Sequence, residues 1–255
     1  MNFAANLGYL FTEHDFLDRF AAAAACGFSA VEFAAPYAYA PSELARRLRD
    51  NALQCVLFNL PMGAPGSFGL GCRPERGGEF REGVGRALDY ASALGTRRIN
   101  CIAGVLRQGD DPEHCEATLV ENLRFAAGEL AAKGIELVIE PINSRDVPGF
   151  LVPTCDRAAE VIARCGVPNL YLQCDLYHAA MMDEDPSSIL SRHRAIVRHI
   201  QFADAPGRGE PGTGQVDFAR HFATIEAIGY EGWVSAEYRP TRATAETLHW
   251  FRHGA

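Results

Sequence analysis

The chain has 255 residues, 48% of them hydrophobic, and a formal net charge of −8 at pH 7. That length accommodates one barrel or two small domains around a sizeable core, and the acidic balance disfavours nucleic acid or an anionic membrane surface as the main partner. No apolar run approaches the ~20 residues needed to span a bilayer, and the start of the chain lacks the basic flank of a secretion signal.

Residues 3–6 are instead expected to form a first strand, and strand-like and helix-like patterns then alternate to the end. Further strands are expected at 30–33, 54–59, 98–102, 136–140, 170–175, 197–202 and 232–237. Between them, apolar residues recur at helical spacing: Phe16 with Phe20, Leu44 with Leu48, Phe80 with Val84, Leu88 and Ala91, Leu119 with Leu123 and Leu130, and Phe222 with Ile225. Gly27, Gly95, Gly134, Gly166 and Gly229 each close a helical pattern and precede a strand, where a left-handed residue ends a helix. Short apolar strands separated by amphipathic helices predict a parallel sheet covered by helices. The repetition fits an α/β fold, a single (β/α)8 TIM barrel over residues 1–255.

An open nucleotide-binding sheet would carry a glycine fingerprint after its first strand. None is present, so neither nicotinamide nor flavin is expected. Eight scattered cysteines without a C-x-x-C pair predict reduced thiols and a cytoplasmic setting. Lys133 is the only lysine and lies at a helix terminus, which argues against Schiff-base chemistry. The Pro/Gly-rich stretches 61–78 and 205–214 follow strands and are expected as long loops on the catalytic rim.

Chemistry concentrates at four strand ends. Glu140, Asp175, Gln201 and Glu237 each close a mostly apolar run, and successive members stand about one strand-plus-helix unit apart. In a closed barrel such positions converge on one rim. Three carboxylates and an amide meeting there call for a cation, and an all-oxygen donor set suits Mg²⁺ or Mn²⁺ better than zinc. His178, three residues beyond Asp175, enters the same cleft if the chain turns at once, with the task of hydrogen bonding a substrate oxygen. Arg208 follows Gln201 on a glycine-rich loop, where a guanidinium can bind a carboxylate with two parallel hydrogen bonds. Glu210 either orients it or faces water.

These segments resemble the hydroxypyruvate isomerase family of the xylose-isomerase-like barrels. The likeness runs through Asn6-Leu, Asp15-Phe-Leu, Cys26-Gly-Phe with Val31-Glu-Phe, Asn59-Leu-Pro, Ile139-Glu-Pro-Ile-Asn143, Arg208-Gly-Glu-Pro-Gly-Thr-Gly214 and Glu237-Tyr. The resemblance implies that Glu140, Asp175, Gln201 and Glu237 hold the metal and that both glutamates move protons. It sets His178, Arg208 and Glu210 near the substrate, with Asn59 as a further binding candidate. Related ketose epimerases commonly use a histidine where this chain has Gln201, and a glutamate where it has Asp146. The activity implied is interconversion of hydroxypyruvate and tartronate semialdehyde through an enediolate. The alternatives are a 2-oxotetronate isomerase or a ketose 3-epimerase, and, further off, a metal-dependent dehydratase, a DNA repair nuclease or a non-catalytic sugar-binding barrel. The partner expected is a small hydroxy-carbonyl acid, with the oligomeric state left open, a homo-oligomer included.

Overall fold

Side chains alternate across each strand, and in this chain the two faces differ in kind. The computed structural model describes residues 1–64 and 66–253; Pro65, within the 61–78 loop, and the last two residues of the expected 1–255 unit lie outside the described residues. The strands are β1 (Asn2–Asn6), β2 (Ala30–Glu32), β3 (Gln54–Asn59), β4 (Arg98–Cys101), β5 (Glu136–Ile139), β6 (Leu170–Asp175), β7 (Val197–Phe202) and β8 (Trp233–Ala236). All pair in parallel and in sequence order, and β8 returns to β1 to close the barrel. The ladders of β5 and β8 stop one residue earlier than expected. Glu140 precedes Pro141, which has no N–H to continue a ladder, whereas the Glu237 N–H still donates to the Phe202 carbonyl at 2.9 Å.

The helices are α1 (Arg19–Ala25), α2 (Pro41–Asp50), α3 (Gly77–Leu94), α4 (Pro112–Ala131), α5 (Cys155–Cys165), α6 (Leu176–Met181), α7 (Pro186–His193) and α8 (Phe218–Ala227). Gly95 and Gly166 end α3 and α5 with φ of 69° and 62°, the geometry expected of them. Two departures from the expected eight equal units stand out. The sixth unit carries both α6 and α7, and the chain after β8 forms short 3₁₀ turns at Thr244–Glu246 and Leu248–His253. Trp250 of the last turn packs edge-on against Phe3 of β1 and Phe202 of β7, the strands on either side of β8, with ring centroids 5.2 and 4.9 Å away.

The apolar core lies outside the barrel, between strands and helices. Leu137, Ile139, Leu172, Val197 and Val234 from the strands meet Leu44, Leu119, Leu123 and Val161 from the helices in one cluster. Inside, the apolar residues include a small group, Ala4, Ala30 and Val56 with Trp233 against them, and Val138 of β5. Asn100, Gln173, His199 and Ser235 are fully buried as well, so much of the interior is polar. Seven of the eight cysteines, Cys26 apart, are buried free thiols. No helix among the described residues is long and apolar enough to cross a membrane.

Candidate active site

Asp175 ends β6 and also caps α6. Its Oδ1 accepts from the Tyr177 N–H at 2.9 Å, so the chain turns directly from strand to helix. That turn brings His178 back over the rim, with Nε2 3.6 Å from Asp175 Oδ2 and 3.9 Å from Glu140 Oε1. Donor atoms of Glu140, Asp175 and His178 all lie within 4.8 Å of one another, and this buried triad could hold a metal ion. Glu237 reaches the same place from the end of β8.

Arg208 is bound among these acids. Its Nη2 donates to Asp175 Oδ2 at 3.0 Å and to Glu237 Oε2 at 2.5 Å, and its Nε donates to the Glu237 carbonyl at 3.2 Å. The guanidinium carbon sits 4.9 Å from the Tyr9 ring centroid and 4.6 Å from that of Tyr177, a cation held between two aromatic faces. The loop reaches this place through Arg208 itself, whose φ is 58°.

Burial and crowding set the protonation states. Burial, reinforced by Asp175, pushes the Glu140 carboxyl up to about 8. Burial also raises Glu237 well above the usual carboxylate range, with Glu140 and Asp175 adding to it against the opposing pull of Arg208. Burial works against the Arg208 cation, but Asp175 and Glu237 outweigh it and hold it protonated. His178 is lowered to about 4, first by burial. Its neighbours agree: Asn143 Nδ2 lies 2.6 Å from Nδ1 and Arg208 Nη1 3.1 Å from Nε2, and both are donors. An imidazolium would set an N–H against a donor at both nitrogens and a neutral ring at only one, which favours the neutral ring.

The donor chemistry fits a divalent cation. Three carboxylates face one guanidinium, which leaves two negative charges uncompensated in a buried cleft. Without an ion the excess is relieved by protonation, which is what the raised Glu140 and Glu237 express. A hard cation would restore the carboxylates and release the protons.

The remaining sequence candidates sit elsewhere. Gln201 lies just below the acids, where its Nε2 donates to Glu32 at 2.6 Å and its Oε1 accepts from Gln173 at 2.6 Å; the second lone pair of that oxygen is left over. Glu210 neither touches Arg208 nor faces water: it is buried and accepts from the Thr241 hydroxyl at 2.6 Å and the Thr241 N–H at 3.1 Å. Asn59 is buried beside Met62, its carbonyl taken by the Tyr37 hydroxyl at 2.7 Å, and it does not line the cavity.

Sequence reasoning missed the support beneath the site. Glu32 and His199 are both fully buried and meet at 2.5 Å. Since β2 and β7 are not neighbours in the sheet, this bond crosses the barrel. Glu32 also accepts from Asn6, which donates to Glu237 Oε1 at 2.7 Å, while Asn100 donates to Glu140 Oε2 at 2.9 Å. Two signals were available. Glu32 ends its strand as Glu140 does, and His199 and Gln173 stand two residues before Gln201 and Asp175, hence on the same inward face. Above the acids opens a cavity of about 550 Å³, lined by Tyr9, Asp146, Tyr177, His178, Arg208 and Arg239 among others. Asp146 is held at this wall by the Tyr177 hydroxyl, 2.7 Å away.

An eight-stranded parallel barrel with buried acids gathered at the carboxyl ends of its strands defines an α/β-barrel enzyme of the xylose isomerase-like class. The sequence profile described as "Xylose isomerase-like TIM barrel" matches residues 20–253. The chain is 45% identical over 252 residues to hydroxypyruvate isomerase of Escherichia coli K12, covering 98% of each chain. It is 44% identical over 252 residues to 2-oxo-tetronate isomerase of Cupriavidus necator, covering 98% of this chain and 97% of the relative. A crystal structure named AP endonuclease, family 2, from Brucella melitensis superposes with a TM-score of 0.96 at 39% identity, over 100% of this chain and 99% of that one. The chain therefore belongs to the hydroxypyruvate isomerase family, within the xylose isomerase-like TIM barrels, and is an isomerase.

Proposed function

We propose that the protein interconverts hydroxypyruvate and tartronate semialdehyde by metal-assisted proton transfer. The observation that carries this reading is the pair Glu140 and Glu237, two buried carboxylates that meet Asp175 and Arg208 in one cleft. Isomerisation needs a group that takes a proton from the hydroxymethyl carbon and a group that returns one to the neighbouring carbonyl carbon. The C–H electron pair moves into the carbon–carbon bond, an enediolate forms, and the hydroxyl proton passes between adjacent oxygens. Two carboxylates in one cleft, one to take the proton and one to return it, are suited to both halves. In this reading Glu140, Asp175 and Glu237 hold a divalent ion of the Mg²⁺ or Mn²⁺ type, with Gln201 beneath them. Such an ion supplies positive charge where the enediolate develops negative charge. Neutral His178 bonds a substrate oxygen, Arg208 keeps the acids in place, and neither nicotinamide nor flavin takes part.

A longer acid, 2-oxotetronate, is the second reading, favoured by a cavity of about 550 Å³ that exceeds what a three-carbon acid fills. The nuclease name of the Brucella relative does not carry over here: the net charge of −8 opposes a polyanion. The seven buried free thiols suit a reducing cytoplasm. The test is aldehyde formation from both acids, before and after chelation, with Mg²⁺ or Mn²⁺ added back. Turnover should vanish with the metal and return with it. Full turnover by protein shown to be metal-free would overturn the metal assignment, and inertness towards both acids the substrate assignment.

A further inference from the structure

An acid substrate brings a carboxylate that the buried site cannot receive as it stands. Two arginines, Arg208 and Arg239, line the cavity among the described residues, and the donors of Arg208 are largely taken. A guanidinium carries five N–H groups; those of Arg208 face Asp175, Glu237 twice and His178, which leaves one. A two-bond clamp on a substrate carboxylate would therefore require it to release an acid. Arg239 lines the same cavity at its open side, is exposed, and its guanidinium makes no hydrogen bond, ion pair or ring contact among the described residues.

The backbone that carries Arg239 is nevertheless fixed. Its N–H donates to the Arg208 carbonyl at 2.7 Å, which ties the loop after β8 to the loop after β7. Two residues on, Thr241 is gripped by both carboxylate oxygens of Glu210, a group that is itself buried. A clamp of this kind holds a segment in place without touching the ligand. It leaves one unpaired cation on a held loop at the mouth of a cavity whose floor is acidic.

We infer that Arg239 is the residue that binds the substrate carboxylate, and that Glu210 is a positioning residue that holds the Arg239 loop over the cavity through Thr241. The inference rests on the isomerase reading above and adds orientation to it. The carboxylate lies outward at Arg239, and the hydroxy-carbonyl carbons lie inward between Glu140 and Glu237. The substrate class is thus a small acid with its anionic end distal to the reacting carbons. Neutral ketoses of equal size lack the group that Arg239 reads.

The experiment compares hydroxypyruvate with dihydroxyacetone, which keeps the hydroxy-ketone and replaces the carboxylate by a neutral hydroxymethyl group. In Arg239→Ala the ratio of kcat/KM for the two should fall roughly 10–100-fold, through KM for the acid, as expected for loss of a charge-assisted pair. Arg239→Lys should recover part of the loss, since a point charge replaces a fork. Glu210→Ala should lower the same ratio less, and the double variant should lose no more than Arg239→Ala, because both changes act through one contact. An unchanged ratio in Arg239→Ala, with the parent active on hydroxypyruvate, overturns the inference and leaves the isomerase reading standing. Calorimetric binding of D-glycerate, which has the carboxylate but no carbonyl, decides the matter if the parent proves inert on hydroxypyruvate and the isomerase reading fails. Glycerate must then bind the parent more tightly than glycerol does and lose that advantage in Arg239→Ala; equal binding to parent and variant overturns the inference.

Discussion

The outer and inner faces of the barrel wall follow opposite chemistry. On the outer face Leu137, Ile139, Leu172 and Val234 meet helix leucines in a continuous apolar cluster. On the inner face Glu32, Asn100, Gln173, His199 and Gln201 are as deeply buried, yet all are polar and joined by hydrogen bonds that cross between strands. Barrel interiors of this kind are ordinarily filled by branched apolar side chains, and here the Ala4, Ala30 and Val56 group and Val138 keep that habit. The difference separates two tasks: apolar contacts outside hold the fold, and a bonded polar column inside holds the catalytic acids at fixed spacing and charge.

Five substitutions can break or sharpen that division. The largest effect belongs to the top of the inner face. Glu140→Gln and Glu237→Gln should each reduce turnover ~10²–10⁴-fold, the usual contribution of a general acid or base, while Tm moves little, because amides of the same shape remain. Near-parent rates in both would remove these residues from proton transfer. Next comes the outer face. Leu123→Ala, at a fully buried position in α4, should cost about 2–5 kcal/mol of stability in denaturant titration with kcat unaltered. If kcat fell in proportion, the shell and the column would not be independent.

Glu32→Gln probes the seam between the two tasks. It leaves His199, Asn6 and Gln201 with one good acceptor fewer, so stability should drop by about 1–3 kcal/mol and turnover should fall as well. The effect on both readouts is what distinguishes a column residue from Leu123. The smallest effect is expected at the half-buried Asp156 of α5, which accepts from His193 and Arg192. Those bonds, His193 first, hold its carboxyl below the usual range. A depressed acid contributes stability above its unfolded value of about 3.9, and that contribution is lost as pH falls through the folded value. Asp156→Asn should therefore cost at most about 1 kcal/mol at pH 7, and the gap from the parent should close in acid. A gap that persisted at low pH would assign the effect to packing.

Local pattern carried much of the architecture. Strand limits matched within a residue at most ends because turn glycines, prolines and apolar runs are short-range signals, and Glu140, Asp175 and Glu237 stood out because a carboxylate closing an apolar run has no solubility role to play. The missed parts are non-local. Glu32 and His199 are 167 positions apart in sequence, and only closure of the barrel makes them partners. The same holds for the eighth unit, where Trp250 meets Phe3 and Phe202, which come together only once β8 has paired with β1 and β7.

What the sequence by itself determined is the alternation of strand and helix, the family, and the identity of the acids at the strand ends, since each depends on residue type and spacing along the chain. What only the tertiary structure decided is who neutralises whom. Arg208 and Arg239 both look like free loop arginines in the sequence. The fold buries one between Asp175 and Glu237 and leaves the other unpaired at the cavity mouth. Glu210, two residues from Arg208, turns away to Thr241. Charge pairing acts through space over a few ångströms, and a linear chain does not state those distances until it has closed on itself.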